Sequence, residues 1–478
     1  MLTNFDQTSP ESILAFAKKL LGTNLKSILP PGYKPRGGKG GLGQLLEEHY
    51  FHKPLDSDSK PDFPDAGVEL KATPIKKFSR KGIGAKERLS LNIINYDDLV
   101  NETWENSHFL SKNSLLLLVF YLYEENQINI DHLIKIVELY SFLDYEEDLK
   151  VIQNDWITIQ YKVLEGKAHE LSEGDTQYLG ACTKGAKNQK PRSQPFSSTL
   201  AKQRAFCFKQ GYVNYILKRI QGKTREYDSL FKNDGLDIAK ISIEQRVKTL
   251  FKPYLGKTAF ELGNIFGMEF KNQKGYYAKI SDNIVKMILG VKNLNKVSEF
   301  EKANISLKTI RVSYDGTIQE DISFPAFKFC EIIKEDWYDS ELYNLLESTK
   351  FLFIKYRITT NTVAEFDRLN DTEKNKFLIL DEVYLWNAPV NDIENYAKQT
   401  WRDTIKIIKE GVIINPIIQK SGKVIERNNL PKSRDTKMIH VRPHGINKKD
   451  IDILPNGKEL TKQCFWFNKS YIKDQLGF

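Results

Sequence analysis

Residues Ser59 to Ile75 read S-K-P-D-F-P-D-A-G-V-E-L-K-A-T-P-I and place Asp62, Glu69 and Lys71 around one short apolar strand. An extended Gly67 to Ala72 puts successive side chains on opposite faces, so Glu69 and Lys71 point one way while Val68 and Leu70 enter a core. Asp62 stands seven residues before Glu69, across a Pro and Gly turn that lets the chain fold back and bring the two carboxylates together. Two carboxylates held close repel, and the arrangement is tolerated when a divalent cation or a proton sits between them. Hard oxygen donors suit Mg²⁺, which keeps part of its water and takes further ligands from a substrate phosphate. A neighbouring ammonium, Lys71, then orients or helps deprotonate the attacking water and offsets charge on a pentacovalent phosphate. The trio therefore reads as metal-dependent phosphodiester hydrolysis. Taken alone, the same residues also describe an edge strand with a solvated salt bridge.

The chain of 478 residues exceeds the size at which one core stops growing, so two domains are expected. Met1 to Pro10 is polar and lacks the apolar stretch of a secretory signal. The longest apolar run, Leu115 to Tyr123, is too short to cross a bilayer and suits a buried strand, so a soluble protein is expected. Cys182, Cys207, Cys330 and Cys464 show no C-x-x-C spacing, which argues against a zinc knuckle and a disulfide framework and fits a reducing cytoplasm. A net charge of +9, from 71 basic and 62 acidic residues, matters for nucleic acid only if it is concentrated on one face.

Outward from the central stretch, Ser9 to Leu21 reads as an amphipathic helix with Ser9 as N-cap and Pro10 at its first position. The glycines of G-G-K-G-G-L-G-Q-L-L-E-E-H-Y-F feed a helix from about Leu42 to Phe51, without the order of a phosphate-binding P-loop. Glu47 on that helix is either a third carboxylate crossing near Asp62 or an ordinary exposed glutamate. Lys76 to Arg88 forms a basic loop whose Lys76, Lys77 and Arg80 can lie along DNA phosphates. Leu89 to Ile94 and Leu115 to Tyr123 read as core strands, and Lys112, just before the second, is a candidate second cation for the scissile phosphate. A helix from Asp155 ends at Gly166. Thr183, Lys184 and Lys187 either reach a groove, since lysine pairs with guanine O6 and N7, or form an ordinary solvated basic turn. Ala205 to Phe208, with basic neighbours, reads as a strand, and Arg204 and Cys207 are candidate DNA contacts.

The second half repeats the first at low similarity. D-W-I-T-I-Q-Y-K-V-L-E-G matches T-W-R-D-T-I-K-I-I-K-E-G, with Trp156 and Trp401 each ten residues before Gly166 and Gly411. Phe206, Phe208 and Tyr212 correspond to Phe465, Phe467 and Tyr471. D-F-P-D-A-G-V-E-L-K aligns with E-F-E-K-A-N-I-S-L-K, so Asp62 becomes Glu299, Lys71 stays Lys308 and Glu69 becomes Ser306. A serine does not supply the charge that Mg²⁺ needs, and the second copy is expected to be catalytically dead.

With these residues in view, D-x-x-x-x-G-V-E-L-K-x-x-P, K-E-R-L-x-L-N-I-I-N-Y, G-K-A-H-E-L-S-E-G, C-T-K-G-A and A-K-Q-R-A-F resemble the MutH mismatch-repair endonuclease and its type II restriction relatives cutting GATC, above all the two-copy Sau-type enzymes. The resemblance implies a PD-(D/E)xK nuclease superfamily fold: two tandem MutH-like α/β domains, each a central mixed sheet flanked by helices. Residues 1–225 would be catalytic, 226–237 a linker, and 238–478 a silent copy that binds a second site as effector. It implies that Asp62, Glu69 and Glu47 bind Mg²⁺, that Lys71 is the motif lysine and that Lys112 is a further catalytic lysine. Lys184 falls on the lysine that reads the recognition site. Arg442 and Pro443 keep the neighbouring positions in the second half, where His444 replaces that lysine. Cys207 stands at the tyrosine that responds to adenine methylation, which implies weak sensitivity to that mark. The implied setting is a bacterial cytoplasm, and the implied partners are double-stranded DNA with GATC sites, a transient second copy of the chain on DNA and a cognate methyltransferase acting on the same site. Cutting before the G would leave a four-base 5′ overhang. Two rivals stay open: a strand-nicking repair endonuclease, and a GATC-binding regulator without nuclease activity.

Overall fold

The computed structural model describes residues 5–30, 32–33, 41–54, 60–78, 82–124, 127–183, 190–231, 241–418, 424–447 and 449–478. The chain divides into two compact units, Met1–Ile243 with Asn295–Ile305, and Glu244–Leu294 with Ser306–Phe478.

The strands of the first unit are β1 (Val68–Phe78), β2 (Gly82–Ala85), β3 (Leu89–Ile93), β4 (Leu115–Leu122), β5 (Leu133–Tyr140), β6 (Leu179–Thr183), β7 (Arg192–Gln194), β8 (Ser197–Ala201) and β9 (Arg204–Phe208). One sheet runs β2-β1-β4-β5, a second β3-β9-β6, and β7 pairs with β8. β1 lies parallel to β4, and β4 antiparallel to β5, which makes the larger sheet mixed. The continuous apolar run of β4 decides its place. Leu116 to Phe120 are fully buried, as a strand covered on both faces requires.

Helix α1 (Pro10–Ala17) starts as the sequence reading expects, with the Ser9 hydroxyl accepting from the Ser12 amide at 3.2 Å. Such a cap stabilises a helix by about 1 kcal/mol. Ile13 and Ala17 join a core with Leu117, Val119 and Ile134. Helix α2 (Gly41–Leu45) passes into a wider π turn over Leu46–Tyr50. Tyr96–Leu99 forms α3 and His108–Asn113 forms α4, and α5 (Glu146–Leu164) begins nine residues before the Asp155 start read from sequence. Glu146, Glu147 and Asp148 in its first turn suit the positive end of the helix dipole. Helix α6 (Gln210–Ile220) follows β9.

Two expectations change. The basic stretch from Lys76 is not a loop at its start, because β1 continues to Phe78 as an antiparallel hairpin with Lys76 opposite Gly84 and Lys77 opposite Ile83. Residues 295–305, aligned with the second copy, pack in the first unit. There the Lys302 ammonium meets Asp148 Oδ1 at 2.6 Å, and Lys218 meets Glu301 at 2.8 Å. A Cβ on Gly211 of α6 would lie 1.9 Å from the Glu301 carbonyl oxygen, so only glycine permits this approach.

The second unit repeats the plan. Ile305–Val312, Lys350–Ile358 and Leu378–Asn387 form one sheet in that order, and Ser323–Phe327, Gln463–Phe467 and Ile439–Pro443 form another, matching β1-β4-β5 and β3-β9-β6. A second pair of tryptophans confirms the correspondence. Trp104 packs against Trp156 with ring centroids 5.9 Å apart, and Trp337 against Trp401 at 5.4 Å. Three residues after the first tryptophan of each pair a serine, Ser107 or Ser340, donates to the tryptophan carbonyl and caps the next helix.

Candidate active site

Phe63 and Val68 form an antiparallel bridge around the turn Pro64–Ala66, closed by Gly67 at a φ of 65°. A left-handed residue there favours glycine. Phe63, buried against Phe51, anchors the turn. The consequence is the fold-back expected from sequence: the Asp62 amide donates to Glu69 Oε2 at 3.1 Å, and the Leu70 amide to Asp62 Oδ2 at 2.7 Å.

Glu69 and Lys71 share a face as alternation requires, with Lys71 Nζ 2.5 Å from Glu69 Oε1. Glu69 is nevertheless buried, at 2% exposure, which alternation alone does not disclose. Lys112, in the last turn of α4, brings a second ammonium 3.8 Å from the same oxygen. Burial holds the Glu69 carboxyl above its usual range, Lys71 opposes this, the Asp62 charge adds to it and Lys112 opposes it less strongly.

Glu47, on the π turn, lines a cavity of about 110 Å³ with Asp62, Lys53 and Lys60. Asp62 Oδ1 has no hydrogen-bond partner among the described residues. Asp62, Glu69 and Glu47 offer the hard oxygen donors that suit a divalent cation, although their oxygens do not all lie within 4.8 Å of one another in this structure. The expected catalytic residues Glu47, Asp62, Glu69, Lys71 and Lys112 are therefore all brought to one end of β1. Lys53 and Lys60 were not singled out from sequence, although the S-K-P-D that carries Lys60 is part of the recognisable pattern.

The corresponding strand of the second unit carries Ser306 and Lys308. Lys308 has no hydrogen bond or ion pair among the described residues, and burial lowers its ammonium pKa. Glu299, aligned with Asp62, instead accepts from Ser229 Oγ at 2.5 Å and from the Leu230 amide at 3.2 Å.

The expected DNA-contacting residues are distributed unevenly. Lys76 and Lys77 sit on the β1–β2 hairpin, Lys77 exposed. Thr183 ends β6, while Lys184, Lys187 and Arg80 lie outside the described residues. Arg204 and Cys207 are buried, and Arg204 donates to the Ala181 carbonyl at 2.5 Å, so neither side chain is presented to a ligand here. That corrects the expectation of direct contact. All five residues of β9 are buried, so both faces of the strand are covered. Arg442 is exposed, stacked on Trp466 at 5.0 Å and paired with Asp321 at 2.9 Å, and exposed His444 packs edge-on against Trp466. Among the described residues Glu173, Cys182 and Cys207 do bring their ligand atoms within 4.8 Å of one another; all three are buried, and Glu173 is paired to Arg88 at 2.6 Å.

Comparison with known proteins agrees with this geometry. Residues 51–155 match the family model described as DNA mismatch repair enzyme MutH. The chain is 38% identical to the type II restriction enzyme Sau3AI of Staphylococcus aureus, over 96% of each chain. It is 30% identical to the DNA mismatch repair protein MutH of Vibrio vulnificus, over 28% of this chain and 56% of that one. The MutH protein of Buchnera aphidicola is 26% identical over 30% of this chain and 62% of its own length.

Proposed function

The chain belongs to the Sau3AI-like family of type II restriction endonucleases, site-specific deoxyribonucleases with a MutH-like nuclease domain, and from that premise we infer that it cuts both strands of DNA at GATC using Mg²⁺. The observation that carries this reading is the convergence of Glu47, Asp62, Glu69, Lys71 and Lys112 on one end of β1.

When bound, the metal supplies Lewis-acid stabilisation of the phosphate and lowers the pKa of a water. Glu69, Asp62 and Glu47 hold it. Lys71 keeps an ammonium beside Glu69 where it can orient the attacking water and offset phosphate charge, and Lys112 adds a second cation on the same oxygen. Water attacks phosphorus, the bond to the 3′ oxygen breaks, and a 5′-phosphate and a 3′-hydroxyl result. Cleavage before the G leaves a four-base 5′ overhang.

The second copy binds a further GATC site as effector, through Arg442 and His444 on its exposed strand end. In the catalytic copy, Lys184 and Lys187 with Thr183 read the site, and the hairpin lysines follow phosphates. One active copy per chain implies sequential nicking or transient pairing of two chains on DNA. A cognate methyltransferase would protect the same sites in the bacterial cytoplasm. Among the described residues no helix is long and apolar enough to cross a membrane.

The test is a linear duplex with one GATC site, incubated with Mg²⁺ with and without a second duplex carrying GATC. Cleavage that speeds up with the second duplex supports the effector reading, and equal rates contradict it.

A further inference from the structure

The cavity beside the carboxylates holds two cations that the hydrolysis scheme leaves unused. Lys53 and Lys60 line it with Glu47 and Asp62, yet neither ammonium forms a hydrogen bond or ion pair with a described residue. Lys71 and Lys112 differ, since both reach Glu69. The Lys53 ammonium rests over the Phe63 ring, 4.5 Å from its centroid, and the Lys53 amide donates to the Glu47 carbonyl at 2.8 Å. Its backbone is thus tied to the turn that presents Glu47, and its side chain to the turn that presents Asp62. Lys60 is followed by Pro61, and Lys53 by Pro54, which holds the backbone of each lysine extended. Two ammonium groups beside two carboxylates, paired with neither among the described residues, are arranged for an anion from outside the chain.

We propose that Lys53 and Lys60 form a phosphate clamp that takes the non-bridging oxygens of one phosphodiester next to the scissile one. This rests on the nuclease reading above and assigns that site a second backbone contact. The pair are positioning residues: they hold the strand in register with Asp62 and Glu47 and carry no proton in the reaction. The same chemistry would fit the 5′-phosphate of a cut product, which makes intact duplex and product separate arms of the test.

The experiment uses the full chain and compares wild type with K53A, K60A, K53A/K60A and K53R/K60R. The substrate is a duplex with one GATC site, with single uncharged methylphosphonates placed at successive positions around the cut. The clamp predicts about a tenfold rise in KM for the double alanine variant, with kcat nearly unchanged. It also predicts a salt dependence of binding shallower by about one. One methylphosphonate position should weaken wild type to the same extent and add nothing in the double alanine variant, while the arginine pair stays near wild type. Should the alanine variants fail to fold, the wild-type methylphosphonate scan still decides: absence of any sensitive position beside the scissile phosphate overturns the clamp. An equal methylphosphonate penalty in wild type and double variant overturns it too, as does a loss confined to kcat. Weaker inhibition of the alanine variants by the 5′-phosphorylated product, with KM for intact duplex unchanged, places the lysines on the product and also overturns the proposal. Failure of wild type to cut any DNA would sink the nuclease reading instead, and the salt slope of binding would then test the clamp by itself.

Discussion

Lys302 and Asp148 form an ion pair of 2.6 Å with side chains 7% and 1% exposed, although they stand 154 residues apart. Asp148 also accepts from Arg219 at 2.9 Å and from the Tyr212 hydroxyl at 3.1 Å, so it is the hub that fastens residues 295–305 to α5 and α6. K302M removes one charge-assisted bond while Arg219 stays as the counter-charge of Asp148, so it is expected to destabilise the first unit by about 1.5–3 kcal/mol. Denaturant unfolding followed by a probe in the first unit checks this, and a loss near zero would show that the segment is not an integral part of it.

Glu299 accepts from Ser229 and the Leu230 amide, not from the strand that carries Ser306, whereas Asp62 accepts from the Leu70 amide of its own motif strand. Restoring the missing glutamate alone should thus leave the second copy silent. The double variant E69A/S306E is expected to show no cleavage under Mg²⁺, and cutting by it would mean that Glu299 swings back to complete the site.

Removing Lys112 takes away a cation 3.8 Å from Glu69 while leaving Asp62, Glu69 and Lys71 in place. K112A is expected to lower kcat by about 10²–10³, the size of losing one preorganised electrostatic contact, with little change in DNA binding. A single-turnover assay separates the two, and a purely structural role would appear as a fall in thermal stability with kcat intact.

His132 is fully buried between Tyr121 and Tyr123, and neither ring nitrogen has a hydrogen-bond partner among the described residues. Burial depresses its pKa below 6.5, Glu124 and Asp131 oppose this, and Lys86 adds to it. Below that pH the unfolded chain binds the proton first, so this group's contribution is complete above pH 6.5 and is lost as pH falls. H132F should flatten the acid-side loss of stability by up to one proton's slope, measured by denaturant unfolding across that range. An unchanged slope would assign the acid sensitivity to other groups.

Much of this was legible in the residues. Pro64 and Gly67 announce the turn that returns Asp62 to Glu69, the apolar run of β4 announces a central strand, and the paired Trp156 and Trp401 announce the repeat. What alternation conveys is which face a side chain takes, not what covers that face, and so the burial of Glu69 was hidden. Arg204 and Cys207 stand out in sequence by their basic surroundings and aligned position, whereas their burial comes from the covering of both faces of β9, which no local pattern shows. Residues 295–305 follow the second copy in sequence and the first unit in packing, because Lys302 finds its counter-charge at Asp148 and nothing local signals a partner so distant. Lys60 is visible in S-K-P-D, yet its lack of an ion-pair partner among the described residues is a property of the fold.

The most direct test of the central claim is digestion of a plasmid with several GATC sites, with Mg²⁺ or EDTA, by wild type and E69A. Discrete double-strand fragments that end at GATC, need Mg²⁺ and vanish in E69A are the expected result. Nicked circles alone, or tight GATC binding without cleavage in any metal, would contradict it.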